Sequence, residues 1–378
     1  MKILIATGIY PPDIGGPATY SAIVLKELRA RGHSVCVVTY GTSEKWRVKS
    51  DKNLITISRR LPKGIRHLVY FWRVLRHSKD ADIIFAQDPV SVGVPALYAA
   101  RITRKKFVLK IVGDYAWEQG TARFGVTELL DDFLRARYGF RVELLRRLER
   151  CVARRAALII VPSEYLKNVV AQWNVGNVPI EVVYNGINTP TAISKEDARK
   201  ALGISGTVLV SVGRLVPWKG FAMLVGLMQK LAPVKLIILG EGPDRVALEG
   251  LRDRLKLADS VFMPGAVSQE VLAQYLASAD AFLLNTGYEG YSHQLLEAMA
   301  MGVPVVTTLA GGNKEIVRNE INALVAGYND TGEWEMQVKK ILSDSALAQK
   351  ISHEAKKQVE LYSTTRMIEQ TIKILERI

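Results

Sequence analysis

Arg214 and Lys219 lie close together in the run Gly213-Arg214-Leu215-Val216-Pro217-Trp218-Lys219-Gly220, directly after the apolar stretch 208–212. Two cations just beyond the carboxyl end of a strand can neutralise a pyrophosphate leaving group as it departs. Further on, Asn285-Thr286-Gly287-Tyr288-Glu289-Gly290-Tyr291-Ser292-His293-Gln294-Leu295-Leu296-Glu297 places one glutamate in a loop and a second inside the next helix. Leu295, Leu296 and Met299 turn that helix toward a sheet, so an acid on its crevice-facing side needs a polar partner. A ribose diol would supply one for Glu297, and Glu289 could hold sugar hydroxyls. The plain alternative is that both are solvated helix and loop charges.

Glycine-rich loops after strands recur in both halves. The first, Gly8-Ile9-Tyr10-Pro11-Pro12-Asp13-Ile14-Gly15-Gly16-Pro17, opens a helix. Gly15 and Gly16 let the backbone approach a ligand, and free N–H groups at a helix start suit a diphosphate. It is not the dinucleotide fingerprint, because no GxGxxG follows the strand directly and Thr39-Tyr40, not an acid, end the next one. A dehydrogenase is therefore disfavoured. Gly240 and Gly242 in Leu239-Gly240-Glu241-Gly242-Pro243 serve either ligand contact or packing alone.

These loops need sheets to hold them. Short apolar strands at 3–5, 34–40, 54–57, 83–86, 107–111, 158–161 and 180–183 alternate with helical runs, and the cycle restarts after residue 208. Such alternation predicts parallel sheets covered on both faces, in two doubly wound α/β domains. A chain of 378 residues also exceeds the usual single core. The expected domains are 1–187, with 362–378 packing back onto it, and 188–361, joined by a linker near 187–205. Two such domains would face each other across a crevice at the carboxyl ends of their strands.

Charge is unevenly distributed. Residues 1–190 carry 30 Lys and Arg against 16 Asp and Glu, whereas residues 191–378 carry 21 of each, so the first half owns the whole net charge of +14. Segment 59–79 holds seven of those cations and no acid, and segment 133–156 holds eight arginines against Glu143 and Glu149. Both interleave arginine with large apolar residues at helical spacing. In the first, Leu68, Phe71, Trp72 and Leu75 fall on one face, with Tyr70 and Arg73 off it. That pattern fits a helix lying on an anionic lipid surface, or an ordinary helix whose arginine stems cover a core edge. Nucleic acid is disfavoured, since no zinc spacing, RNA-binding aromatic signature or recognition helix accompanies the charge.

Cys36 and Cys151 are too few for a disulfide framework and read as buried thiols in a reducing compartment. The opening MKILIATGIYPP reads as a first strand and not a signal peptide, and no uncharged apolar run is long enough to span a bilayer.

The RxxxxKG at 214–220, the turn at 240–243, the ExxxxxxxE at 289–297, the LEAMAxGxPVV run at 296–306 and Gly311-Gly312 together resemble the family 4 glycosyltransferases. Gly15-Gly16 and the stretch 31–39 resemble the same family's N-terminal domain. The resemblance implies the GT-B fold, transfer from a nucleotide sugar with retention of configuration, and a last helix that crosses back to the first domain. It implies that Arg214 and Lys219 contact the donor diphosphate, that Glu297 contacts the ribose and that Glu289 lies against the donor sugar. Gly16 would face the phosphates from the other domain. Gly213, Gly240 and Gly242 belong to the same donor-binding loops, as do Gly290, Tyr291, Ser292 and His293, a variant of the family's theme there. His293 would hydrogen-bond donor hydroxyls or merely cap its helix. No metal or other cofactor is expected, since the two cations offset the charge.

The chain departs from the family where many relatives carry a histidine in the first domain. Here the loop reads Gly113-Asp114-Tyr115-Ala116-Trp117-Glu118, and Asp114 is the candidate to position the reactive sugar or the acceptor hydroxyl. The resemblance further implies same-face attack through an oxocarbenium-like ion pair, with the departing phosphate taking the acceptor proton. The positive first domain would hold the acceptor, a lipid-linked intermediate being preferred over other glycans. The enzyme would then sit peripherally on the cytoplasmic face of the membrane. The rival readings are an epimerase or hydrolase of the same fold and a non-catalytic protein that binds anionic surfaces.

Overall fold

The computed structural model describes residues 1–13, 15–41, 53–188 and 193–378; Ile14 of the first glycine-rich loop and residues 189–192 of the expected linker lie outside the described residues. The chain divides into two units. Unit 1 comprises Met1–Tyr184 and Thr365–Ile378, and unit 2 comprises Asn185–Thr364.

In unit 1, β1 (Lys2–Ala6), β2 (Ser34–Gly41), β3 (Leu54–Ser58), β4 (Ile83–Ala86), β5 (Lys106–Lys110), β6 (Leu158–Val161) and β7 (Ile180–Val182) form a seven-stranded sheet. Its order is β3-β2-β1-β4-β5-β6-β7, and every pairing is parallel. The helices are α1 (Gly16–Ala30), α2 (Lys63–Ser78), α3 (Gly93–Thr103), α4 (Tyr115–Arg123), α5 (Leu130–Arg135), α6 (Phe140–Ala153) and α7 (Glu164–Gln172). Strands such as β4 and β6 are buried at every position, which is why their sequences read as unbroken apolar runs. The strand order reverses at β1. The loops following β1 and β4 therefore part in opposite directions and leave space at the carboxyl edge, the usual ligand position in open α/β sheets.

Unit 2 repeats the plan with α8 (Lys195–Leu202), β8 (Val208–Val212), α9 (Phe221–Leu227), β9 (Lys235–Leu239), α10 (Arg245–Arg254), β10 (Val261–Gly265), α11 (Gln269–Ser278), β11 (Ala281–Leu284), α12 (His293–Ala300), β12 (Val305–Thr307), β13 (Leu324–Val325), α13 (Thr331–Ser343) and α14 (Ser345–Val359). Its six parallel strands run β10-β9-β8-β11-β12-β13, so its reversal lies between β8 and β11. Ser194, Ser268, Asp330 and Asp344 cap four of the helices by accepting a backbone N–H.

The last helix, α15 (Thr364–Arg377), belongs to unit 1. Met367, Ile368, Ile372 and Leu375 are buried in one cluster with Ile3, Ile5, Val24 and Leu28. The Tyr20 hydroxyl lies 3.0 Å from Thr371 Oγ1, and Arg377 reaches Glu181 at 2.6 Å. Beside this contact, β5 ends on Lys110, whose ammonium sits 3.3 Å from the Tyr20 ring centroid. Burial lowers the Lys110 pKa to about 7.

Helix α2 faces the core with a side other than the apolar stripe read from its sequence. Tyr70, Val74 and Ser78 are buried, and the Tyr70 hydroxyl donates to the carbonyls of Val38 and Thr7 at 2.9 and 3.2 Å. A tyrosine can face inward here because its polar tip finds acceptors. Ile65, Leu68 and Trp72 are 52%, 57% and 59% exposed, with Phe71 and Leu75 half-buried at the margin. The apolar stripe read from the sequence thus points away from the sheet. Phe140 and Leu144 on α6 are exposed as well. Cys36 and Cys151 are free and half-buried, less enclosed than expected.

Candidate functional site

In unit 2 the loops following β8 and β11, neighbouring parallel strands, are stitched together by main-chain contacts. Gly287 N–H donates to Trp218 O at 2.8 Å, and Asn285 Nδ2 donates to Gly220 O at 2.9 Å. Gly220 adopts a left-handed φ of 55°, where a Cβ would collide with Asn285. This stitching sets Lys219 against Glu289. Lys219 Nζ donates to Glu289 Oε1, and both residues are more than nine-tenths buried. Taking two charges from water is costly unless they are paired, so each holds the other in place.

A third loop supports this pair. Gly312 N–H donates to Glu289 O at 2.8 Å, and Gly311 comes so close that a Cβ would overlap the same carbonyl. Gly240 and Gly242 have a packing explanation of the same kind. Side chains there would overlap Gly213 O and Leu215 O, and Leu215 N–H donates to Glu241 O at 3.0 Å. Their glycines let one loop lie flat on the segment that presents Arg214.

Arg214 itself is exposed and makes no ion pair among the described residues. Glu297 is half-buried on α12 and accepts a hydrogen bond from Gln269 Nε2 at 2.7 Å. Burial raises its pKa, and the Gln269 bond opposes that shift. Ser292 caps α12 by accepting from Leu295 N–H, His293 is that helix's first residue, and the Tyr291 ring meets Tyr362 edge-on at 5.8 Å. Gly290 and Gly213 are buried in the loops between. The structure thus joins Lys219 and Glu289 directly, whereas Arg214 and Glu297 are not bonded to that pair.

Unit 1 has its own cavity, of about 310 Å³, at the carboxyl edge between β1 and β4. Gly8, Ile9 and Pro17 line it from the first loop and α1, Gln87, Asp88, Pro89 and Ser91 from the segment after β4, and Val112, Gly113, Tyr115 and Glu118 from beyond β5. Gly15 and Gly16 are not among the lining residues. Gly15 precedes α1 where a Cβ would stand 2.9 Å from Ile9 Cδ1, so it makes room for Ile9. The Asp88 carboxylate accepts from Val90 N–H and Ser91 N–H at 2.6 Å and from Ser91 Oγ at 2.7 Å. Burial pushes its pKa up against those bonds. Gln87 is 3% exposed, and its Nε2 has no hydrogen-bond partner among the described residues.

Asp114 requires a correction. It does not line the cavity. It caps α4, with Oδ1 accepting from Trp117 N–H at 2.8 Å and Oδ2 from Trp173 Nε1 at 3.2 Å. It is 1% exposed, and burial raises its pKa. Glu149, equally buried, accepts from Ala116 N–H and is raised by burial and by Asp114 beside it. Asp114 thus works from beneath on the helix that carries Tyr115 and Glu118. The residues overlooked in the sequence are Gln87 and Asp88. A polar pair directly after the buried strand β4 was the available signal.

Among the described residues there is no group of three His, Cys, Asp or Glu side chains placed to hold a metal ion. Comparison with known proteins adds the decisive observation. Residues 14–190 match the family described as Glycosyltransferase Family 4, and residues 194–358 match Glycosyl transferases group 1, the two halves of one domain pair.

The chain belongs to the family 4 glycosyltransferases.

This glycosyltransferase is 28% identical to an uncharacterized glycosyltransferase, MJ1607, of Methanocaldococcus jannaschii, over 99% of its own length and 97% of the relative's. Among solved structures it is similar to sucrose-phosphate synthase from Thermosynechococcus elongatus, with a TM-score of 0.85 at 20% identity, covering 100% of this chain and 98% of that one. It is also similar to Anabaena HepE in complex with UDP-glucose, with a TM-score of 0.82 at 20% identity and full coverage of both chains. These neighbours establish the GT-B fold expected from the sequence.

Proposed function

We propose that this glycosyltransferase moves a hexose or N-acetylhexosamine from a UDP- or GDP-sugar to an acceptor hydroxyl with retention of configuration. The observation that carries the reading is the buried Lys219–Glu289 pair at the strand-order reversal of unit 2, with the exposed Arg214, which makes no ion pair among the described residues, on the same loop. In this reading Lys219 and Arg214 offset the charge of the leaving diphosphate, so no metal is needed. Glu289 holds the donor sugar and Glu297 the ribose. Gly213 and Gly290 allow close approach, and Tyr291, Ser292 and His293 form the wall beside them. The UDP-glucose bound to HepE, a protein of the same fold, supports a nucleotide-sugar donor.

Unit 1 takes the acceptor, which we propose is a lipid-linked glycan intermediate. Its charge surplus and the outward stripe Ile65, Leu68 and Trp72, edged by Arg73, Arg76 and Lys79, suit an anionic bilayer surface. No helix among the described residues is long and apolar enough to cross a membrane. The attachment proposed is peripheral, at the cytoplasmic face.

A thermal-shift screen of nucleotides and nucleotide sugars tests the donor assignment, because a ligand that binds only the folded chain raises its melting temperature. One of the UDP- or GDP-sugars should stabilise the protein, and Lys219→Ala and Glu297→Ala should abolish the shift. A chain that no nucleotide sugar stabilises or reacts with is not this enzyme. Product analysis with membrane lipid extracts then identifies the acceptor.

A further inference from the structure

Lys219 stands on a turn that cannot fix its own position. Pro217–Lys219 form a single 3-10 turn, and so short a helix has too few internal bonds to set its orientation. Its carbonyl oxygens are captured from outside instead. Trp218 O accepts from Gly287 N–H at 2.8 Å and Gly220 O from Asn285 Nδ2 at 2.9 Å, both donors lying after β11. Pro217 O accepts from the Tyr328 hydroxyl at 3.2 Å. Tyr328 belongs to a further loop of unit 2, between β13 and α13.

Asn329, the next residue, closes a reciprocal clasp on Asn285. Asn285 Nδ2 donates to Asn329 Oδ1 at 2.8 Å, and Asn329 N–H donates to Asn285 Oδ1 at 3.1 Å. With the bond to Gly220 O, both protons of the Asn285 amide are used, and its orientation is fixed. Asn285 is 1% exposed, so losing a partner there is costly. Asn329 has a left-handed φ of 60°, which Asn and Asp tolerate better than most residues with a side chain. The loop is itself anchored to α13. Gly327 N–H donates to Glu333 Oε2 at 2.6 Å, and the buried Trp334 donates from Nε1 to Gly327 O at 3.0 Å.

We propose that Tyr328 and Asn329 are positioning residues, holding the Lys219 ammonium where the donor's diphosphate needs it. The inference rests on the donor reading above and extends it to the loop after β13. Tyr328 grips the start of the turn at Pro217, and Asn329 grips its end through Asn285 and Gly220. Lys219 lies between the two grips. Glu289 fixes only the tip of a flexible four-carbon stem, whereas the grips fix the backbone that carries it. Asn285 also opens the segment that carries Glu289, so the same clasp orders both sides of the ion pair. Misplacing a group of this kind is felt where it meets the ligand, here at the phosphates.

The test measures binding of UDP, GDP, UMP and GMP to the full chain by calorimetry. Tyr328→Phe with Asn329→Gly removes both grips and leaves the left-handed backbone unstrained. It should weaken whichever diphosphate the wild type binds by about tenfold, the scale of one or two net hydrogen bonds. The matching monophosphate should bind nearly as before, since it lacks the phosphate that carries the sugar. Asn329→Asp alone keeps an acceptor for Asn285 and should bind the diphosphate nearly as wild type, whereas Asn329→Gly alone should not. Unchanged diphosphate affinity in the double variant overturns the proposal. Equal losses of diphosphate and monophosphate also overturn it, because they report a general disturbance of unit 2, as does an Asn329→Asp variant as weak as Asn329→Gly. If the double variant does not fold, the two Asn329 variants decide alone. A wild-type chain that binds neither UDP nor GDP overturns the donor reading instead.

Discussion

Lys219 and Glu289, separated by 70 positions in sequence, form one buried ion pair where β8 and β11 lie side by side. The pair is held by main-chain bonds from three loops, so its geometry exists before any donor arrives. A site assembled in advance need not reorganise when charge develops on a leaving group.

Breaking this pair should expose its cost. Lys219→Ala leaves a carboxylate buried without a partner and should destabilise the protein by about 3–5 kcal/mol, whereas Lys219→Met with Glu289→Leu should recover most of that loss. Both variants should lose donor binding. Chemical denaturation of the two variants and wild type measures the difference, and a double variant no more stable than the single one contradicts a buried pair.

Glu297 should report through pH. Burial raises its pKa and the Gln269 bond restrains the rise, so Gln269→Ala should raise it further. Donor affinity that needs the ionised carboxylate is lost as pH falls through that pKa. The variant should lose it at a higher pH than wild type. Calorimetric titration of the donor across pH checks the direction, and coincident profiles would count against Glu297 as a ligand.

Asp114 should act on stability. Its folded pKa is raised from 3.8 to about 6, chiefly by burial, against the opposing pull of Trp117 N–H, Arg146 and Trp173. The folded state therefore holds the proton more tightly than the unfolded one. This contribution is fully present below about pH 4 and is lost as pH rises through about 6, and the buried Glu149 beside it, raised in the same direction, adds to the same trend. Asp114→Asn should flatten that slope, and its deficit from the lost acceptor should be largest near pH 4 and shrink toward pH 7. Urea melts from pH 4 to 7 resolve the two effects. An unchanged slope would show that Asp114 does not contribute to it.

The outward face of α2 should govern membrane attachment. Arg73→Glu with Arg76→Glu should reduce co-sedimentation with phosphatidylglycerol vesicles by about tenfold or more at low salt, since each basic residue near such a surface contributes about 1 kcal/mol. Trp72→Ala should weaken binding at all salt concentrations. All three positions are exposed, so melting temperature should barely move. Binding equal to wild type in both variants would remove α2 from the interface.

The sequence alone determined what depends on neighbours along the chain. Unbroken apolar runs marked the strands, Gly and Pro marked the loops after them, and the spacing of Arg214 with Lys219 and of Glu289 with Glu297 marked the loops that carry charge. Tertiary structure decided which of these groups meet. Sheet order places β1 beside β4, with Ile3 opposite Ile83, and so brings Gln87 and Asp88 to the loop after Gly8. No local pattern encodes that pairing, because it comes from burying whole strands between helices. The direction of a side chain was settled in the same way. Asp114 and Tyr115 are adjacent in sequence, yet the Trp173 indole draws the carboxylate inward while Tyr115 lines the cavity. On α2, Tyr70 turned inward and Trp72 outward, since only the tyrosine found carbonyls for its polar tip.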